Sequence, residues 1–63
     1  MPVLHVELWE GRTREDKAQM ARALTDELVR ILKCRPEAVT IIFSDVSKED
    51  WARGGVLVAD EKK

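Results

Sequence analysis

Residues 3–9 read Val-Leu-His-Val-Glu-Leu-Trp, a stretch in which every second side chain is aliphatic. This alternation predicts a β-strand, because successive side chains of a strand point to opposite faces of a sheet. One face of the strand is wholly apolar and the other is mixed. The apolar face carries Leu4, Val6 and Leu8, and the mixed face carries Val3, His5, Glu7 and Trp9.

A helix is predicted to follow this strand. Thr13, with Asp16 three residues later, resembles a capping box in which Asp replaces the usual Glu, so the helix should begin near Arg14. It should end near Lys33, because Pro36 disfavours helical geometry at the residue before it. Between these limits, apolar side chains recur at the three- and four-residue spacing of one helical face. They are Met20, Ala21, Leu24, Leu28, Ile31 and Leu32.

A second strand is predicted over residues 39–46, which are rich in β-branched and aromatic side chains. A helix of roughly 20 residues between two strands has the length of a parallel crossover connection. The pattern therefore favours the α+β class, as a single β-α-β unit with parallel strands. Beyond it, Gly54 and Gly55 mark a bend, residues 56–59 suit a short extended piece, and residues 60–63 are expected to form a frayed tail.

We expect a single domain over residues 1–63, since the chain has no internal repeat, low-complexity segment or linker. A domain this short buries only about 60% of the surface of its unfolded chain, and its core needs support. Cys34 and His5 are the single cysteine and histidine, so neither a disulfide framework nor the spacing of a metal site is recognisable. A two-stranded sheet also leaves strand edges and one face uncovered. We therefore expect self-association.

The charge pattern argues against several kinds of partner. The chain has 11 Lys and Arg against 12 Asp and Glu, a net charge of −1, with the two signs interspersed. This balance disfavours nucleic acid as a partner. No apolar run approaches the roughly 18 residues of a membrane span, and the N-terminus lacks the features of a signal peptide. We expect a protein of the reducing cytoplasm with no membrane partner.

Met1-Pro2 is a site from which the initiator methionine is normally removed, which would expose a secondary amine at the start of a strand. Further features accompany it: Leu8-Trp9-Glu10-Gly11-Arg12-Thr13 followed by an acidic helix start, then Ile41-Ile42-Phe43, Trp51 and Gly54-Gly55. In their order and spacing, these features resemble the 4-oxalocrotonate tautomerase family over nearly the whole chain.

The resemblance implies a cofactor-independent tautomerase with no metal. It implies β-α-β protomers assembled as a homohexamer, a trimer of dimers with sheets inside and helices outside. Pro2 would be the catalytic general base that moves a proton on a small 2-hydroxy dienoic or 2-oxo enoic acid, such as 2-hydroxymuconate. A retained Met1 would turn the Pro2 nitrogen into an amide without usable basicity. The structural alternative is that Pro2 merely begins an edge strand.

The chemistry of an amino-terminal proline suits a base. An α-amino group titrates near pH 8, and an apolar pocket or nearby cations disfavour its charged form and bring its pKa toward neutrality. A base poised near the working pH is the most effective. The proline ring also fixes the direction of the lone pair.

The resemblance assigns three further residues to substrate binding. Arg12 matches the family arginine that holds a substrate carboxylate from a neighbouring subunit, a task for which a planar guanidinium fork is suited. Trp51 falls where the family has an aromatic residue that walls the proline pocket. Trp9 falls at the pocket edge, where packing or a subunit interface is an equally good interpretation.

One position departs from the family pattern. Thr40 stands where the family has a second arginine, which binds the other end of the substrate. Arg53 and His5 are the two candidates to take over this role, and Arg53 is assigned to substrate binding on that basis. Because Thr40 cannot supply that charge, the departure argues against a preference for substrates with two carboxylates.

Two alternatives remain open at this stage. Dehalogenating relatives place a carboxylate near the position of Arg53, and a cation there favours tautomerisation, but a dehalogenase or hydratase of the same superfamily remains an alternative. The other alternative is a non-catalytic subunit of a mixed oligomer whose partner chain supplies the arginine missing at Thr40.

Overall fold

The computed structural model describes residues 1–61. Two longer strands and one helix come first, and a small hairpin follows them. In chain order these are β1 (Val3–Trp9), α1 (Arg14–Leu32), β2 (Thr40–Val46), β3 (Ala52–Arg53) and β4 (Val56–Leu57), with 3₁₀ turns at Pro36–Ala38, Lys48–Asp50 and Val58–Asp60. Within residues 1–61, no helix combines the length and the apolar character that crossing a membrane requires.

β1 and β2 pair in parallel, so the predicted β-α-β unit with parallel strands is confirmed. The register sets Val3 opposite Thr40 and Trp9 opposite Val46. Burial alternates along β1 as the sequence predicts. Leu4, Val6 and Leu8 are half-buried, whereas Val3, His5 and Glu7 are exposed.

The ends of α1 are set by local interactions. The Thr13 hydroxyl accepts from the Asp16 N–H at 3.0 Å and the Asp16 carboxylate accepts from the Thr13 N–H at 3.4 Å, which confirms the predicted capping box. At the other end, Lys33 adopts a left-handed conformation with φ of 56° and donates its N–H to the Val29 carbonyl. Lys17 of α1 reaches Asp45 of β2 at 2.7 Å, so the helix lies on the Leu4 face of the sheet.

The C-terminal end of α1 corrects the predicted helix face. Their spacing places Ile31 and Leu32 in the apolar stripe, but in the structure they are 57% and 52% exposed. A helix of 19 residues is about 28 Å long, whereas strands of 7 residues span about 23 Å. The last turn of α1 therefore extends past the sheet that it covers.

The segment after β2 is more ordered than the sequence predicts. Gly54 and Gly55 have φ of 58° and 83° and form a two-residue loop between β3 and β4, a conformation that favours glycine. The single extended piece expected over residues 56–59 is wrong, because β4 ends at Leu57 and a 3₁₀ turn follows. The frayed tail expected over residues 60–63 is also wrong for its first half, since Asp60 completes that turn and Glu61 is paired. The remainder lies outside the described residues.

The protomer has almost no core of its own. Among residues 1–61, Val58 is the one apolar side chain less than a tenth exposed. The radius of gyration is 14.9 Å, against about 11 Å for a compact chain of this length. On the sheet face away from α1, Val3 is 62% and Ile42 is 47% exposed. Self-association, which would cover this face, stays a prediction.

Candidate functional site

Pro2 lies at the amino-terminal end of β1, at the edge of the sheet. The Thr40 N–H donates to the Pro2 carbonyl at 3.0 Å, and so Pro2 is tied to the first residue of β2. Trp9 lies at the other end of the same strand, about 20 Å away. One protomer therefore does not bring Pro2 together with the predicted binding residues at the opposite end.

Trp9, Lys48, Trp51 and Arg53 form a compact group, which we call the tryptophan cluster. The two indole rings meet edge to face, with centroids 5.8 Å apart and planes at 78°. Arg53 Cζ lies 5.5 Å and Lys48 Nζ lies 4.8 Å from the centre of the Trp9 ring. Both cations are within the range of cation–π attraction. The structure thus brings three of the predicted site residues together and adds Lys48, which sequence reasoning missed.

Three elements hold the tryptophan cluster in place. Trp9 ends β1, Lys48 opens a 3₁₀ turn, and Arg53 belongs to the hairpin. The Trp51 carbonyl accepts from the Val58 N–H at 2.7 Å, and this hydrogen bond joins the two ends of the hairpin. Val58 is also the most buried apolar residue of residues 1–61. The cluster is consequently a product of tertiary contacts between segments far apart in the chain.

The indole nitrogen of Trp9 is buried and has no hydrogen-bond partner among residues 1–61. A buried donor without a partner costs free energy, on the order of 1 to 3 kcal/mol. The Trp9 ring is therefore held by aromatic and cation–π packing and not by its N–H.

Arg53 is paired with a carboxylate of its own chain. Its Nε donates to Glu61 Oε2 at 3.0 Å and its Nη2 donates to Glu61 Oε1 at 2.5 Å, a two-point arrangement. The pair raises the pKa of the Arg53 guanidinium, and the hydrogen bond from Arg53 lowers the pKa of the Glu61 carboxyl. Glu61 carries no sequence signal, because it lies eight residues from Arg53 across a hairpin and a turn.

Arg12 lies apart from the tryptophan cluster, over the first turns of α1. It is exposed and lines an open groove of about 540 Å³ between the end of β1 and the helix. Among residues 1–61, no carboxylate or carbonyl accepts a hydrogen bond from its guanidinium. The other residues of the groove are Leu8, Asp16, Gln19, Met20 and Ala23. Arg12 thus has a free planar fork at the surface of the protomer.

His5 lies on the open sheet face, and its Nε2 is 3.0 Å from the Ser44 hydroxyl. Thr40 belongs to the same face, because it is opposite Val3 in the register. His5 and Arg53, the two candidates for the role of the second arginine, are therefore both engaged within the protomer. Among residues 1–61, no group of three or more His, Cys, Asp or Glu side chains is arranged to hold a metal ion.

Residues 2–61 match the profile of a family described as Tautomerase enzyme. The chain belongs to the tautomerase family. A probable tautomerase of Ralstonia nicotianae is 34% identical over 61 residues, which are 97% of this chain and 94% of that relative. The crystal structure of a 4-oxalocrotonate tautomerase homologue superposes with a TM-score of 0.88 at 41% identity over all of both chains. The structure of a heterohexamer 4-oxalocrotonate tautomerase from Chloroflexus aurantiacus J-10-fl superposes with a TM-score of 0.91 and is 31% identical, over 98% of this chain and all of that one.

These similarities confirm the predicted resemblance, the tautomerase fold and the class of enzyme. In this tautomerase the predicted site residues occupy three places on the protomer: Pro2 at one end of β1, the tryptophan cluster at the other end, and Arg12 in its groove. Within one protomer, the end of β1 next to Pro2 is therefore separated from the other two places by the length of the strand.

Proposed function

We propose that this tautomerase is a cofactor-independent isomerase that moves a proton on a 2-hydroxy dienoic or 2-oxo enoic acid, with the Pro2 nitrogen as general base. The observation that carries the proposal is the environment of Pro2. The family match begins at this residue, and Pro2 joins the sheet through its carbonyl alone, so that its nitrogen has no part in the hydrogen-bond ladder. Removal of Met1 would leave that nitrogen as a secondary amine at the sheet edge.

The proposed reaction needs one base and no redox change. The Pro2 amine takes the proton of the 2-hydroxyl group, the oxygen lone pair forms the carbonyl, and the double-bond electrons shift along the chain to a carbon atom. The protonated Pro2 then returns the proton to that carbon. A positioned base of this kind contributes about 10²- to 10⁴-fold to the rate.

Arg12 is proposed to hold the substrate carboxylate from an adjacent protomer. Support comes from its exposed guanidinium, which has no acceptor among residues 1–61. A guanidinium fork binds both oxygens of a carboxylate and fixes its orientation. Bound in this way, the acid would present its 2-hydroxyl group to Pro2 in a constant direction.

The tryptophan cluster is proposed to wall the Pro2 pocket of a neighbouring protomer. Trp51 and Trp9 supply apolar surface and Lys48 supplies positive charge, whereas the charge of Arg53 is offset by Glu61. Both influences disfavour protonation of an amine. On this proposal, the cluster keeps Pro2 in its basic form at neutral pH.

Self-association into a homohexamer, a trimer of dimers, is the assembly that we propose. The near absence of a core and the exposed apolar side chains on the open sheet face support it. The alternative assembly is a mixed oligomer. Thr40 favours it, because a threonine at the position of the second arginine leaves that position without a cation. A mixed oligomer, such as the relative described as a heterohexamer, would supply that arginine from another chain. Co-purification of a second short chain would support this arrangement, and a fully active homo-oligomer would rule it out.

The test compares wild type with Pro2→Ala, each verified by intact mass to lack Met1. Ketonisation of 2-hydroxymuconate and of phenylenolpyruvate is followed by ultraviolet absorbance. We expect the substitution to lower kcat by about 10²- to 10⁴-fold, and equal rates would refute the base assignment. Wild-type protein that carries one additional N-terminal residue is the matched control, because it keeps Pro2 but blocks its nitrogen. Added water or released halide among the products would instead indicate a hydratase or a dehalogenase.

A further inference from the structure

The guanidinium fork of Arg53 is occupied by the Glu61 carboxylate. Two of its nitrogens donate to the two oxygens of Glu61, at 3.0 Å and 2.5 Å. This is the arrangement in which an arginine binds the carboxylate of a ligand. The Arg53 and Glu61 side chains are 56% and 32% exposed, so the pair lies within reach of a small molecule at the surface.

The pair lies against the tryptophan cluster. Arg53 Cζ is 5.5 Å from the centre of the Trp9 ring, and that ring is 5.8 Å from Trp51. An acid bound against Trp51 would therefore lie near Arg53, but the positive charge of Arg53 is already balanced by the Glu61 carboxylate. Lys48 is the remaining cation of the cluster, but an ammonium is a point charge without a planar fork.

We infer that Glu61 is a specificity-determining residue that makes this site favour acids with one carboxylate over acids with two. The inference rests on the proposed function, in which Arg12 binds the first carboxylate. A second carboxylate finds a hydroxyl at Thr40 and must displace Glu61 from Arg53. Until Glu61 is displaced, the two carboxylates repel one another.

The experiment measures kcat/KM for 2-hydroxymuconate, which has two carboxylates, and for phenylenolpyruvate, which has one. Glu61→Gln replaces the internal carboxylate with a neutral amide, whose single oxygen binds the Arg53 fork less strongly and is displaced more easily. We expect this variant to raise the ratio of the diacid to the monoacid value at least about tenfold, the effect of one charge-assisted hydrogen bond. The change should come mainly from a lower KM for the diacid.

Two further variants separate the fork from a general gain of positive charge. Arg53→Gln with Glu61→Gln has the same net charge as wild type and no fork, and it should keep the wild-type ratio. Arg53→Lys with Glu61→Gln has the charge of the single variant without the fork, and its ratio should stay close to wild type. A ratio that rises equally in the lysine variant would overturn the inference, as would an unchanged ratio in Glu61→Gln.

A binding measurement makes the outcome independent of turnover. Calorimetric titration with adipate and hexanoate compares a dicarboxylate with a monocarboxylate, and Glu61→Gln should tighten adipate relative to hexanoate by a similar factor. Equal changes for both ligands would contradict the role of Glu61. Failure of the proposed function is recognised separately. If Pro2 is not the base, Pro2→Ala leaves turnover unchanged, whatever the result with adipate.

Discussion

The Thr40 N–H donates to the Pro2 carbonyl at 3.0 Å, so the proposed base is anchored through its backbone to the first residue of β2. A side-chain substitution at position 2 leaves this hydrogen bond in place, because it uses the main-chain oxygen. Pro2→Ala therefore changes the nitrogen without removing the contact that positions it.

A charge on the open sheet face should dissociate the assembly and abolish activity together. Ile42 lies on this face and is 47% exposed in the protomer, so Ile42→Glu would place a carboxylate in the proposed interface. We expect a shift toward monomer in sedimentation equilibrium and about a hundredfold loss of kcat/KM, the lower end of what a positioned base contributes, because no protomer holds Pro2 beside the tryptophan cluster.

The control is Arg22→Glu, which introduces a carboxylate on the exposed face of α1. It should leave both the mass of the assembly and kcat/KM unchanged. A monomeric and fully active Ile42→Glu protein would show that the site does not need a second protomer.

Arg12→Gln should impair substrate binding without affecting stability. The Arg12 guanidinium has no acceptor among residues 1–61, so its removal breaks no contact in the fold. Loss of a charge-assisted carboxylate contact predicts about a 10- to 100-fold lower kcat/KM, measured by steady-state kinetics. Arg12→Lys keeps the charge but loses the fork, and its rate should fall between the two. An altered thermal midpoint would instead indicate a structural role.

Trp9→Phe should be well tolerated, whereas Trp9→Ala should not. Phenylalanine keeps an aromatic face for Lys48 and Arg53 and removes the indole N–H that has no partner among residues 1–61. We expect its free energy of unfolding to stay within about 1 kcal/mol of wild type. Alanine removes the ring from a half-buried position and should cost about 2 kcal/mol, below the value for a fully buried ring.

The measurement for Trp9 is chemical denaturation at one fixed protein concentration, because assembly makes the transition concentration-dependent. A large loss in the phenylalanine variant would show that the indole nitrogen has a partner in the assembled protein.

The Arg53–Glu61 pair should make stability depend on pH in the acid range. The hydrogen bond from Arg53 lowers the pKa of Glu61 below that of the unfolded chain, so the folded state favours the carboxylate. This contribution is fully present above the unfolded value of about 4.3 and is lost as pH falls through the lower folded pKa. Glu61→Gln should therefore show a flatter stability profile between about pH 5 and pH 3.

Both partners of this pair are partly exposed, so added salt should weaken its effect. Thermal midpoints of wild type and Glu61→Gln across that pH range, at low and high salt, provide the check. Parallel profiles would mean that the pair does not persist in solution.

Most of the fold could be predicted because its determinants are local. Alternation along β1, the Thr13 capping box and Pro36 each act within a few residues, and all three set element boundaries where the sequence places them. The errors arose where geometry over longer distances decides. Ile31 belongs to the apolar stripe by its spacing, but the helix is longer than the sheet beneath it and leaves that side chain exposed.

The candidate site divides in the same way. Pro2, Arg12 and Trp51 are identified by their places in a family pattern, which consists only of the order and spacing of residues along the chain. Lys48 and Glu61 were not identified, because their roles come from packing on Trp9 and from pairing with Arg53.

The sequence alone determined the β-α-β unit, the tautomerase family and the residue proposed as base, because strand alternation, helix caps and motif order are properties of neighbouring residues. The tertiary structure was needed to show that Trp9 packs with Trp51, Lys48 and Arg53 and that Glu61 binds the Arg53 guanidinium. The physical reason is that a strand is a rigid spacer of about 3.3 Å per residue, whereas turns and hairpins bring together side chains whose separation in sequence has no regular period.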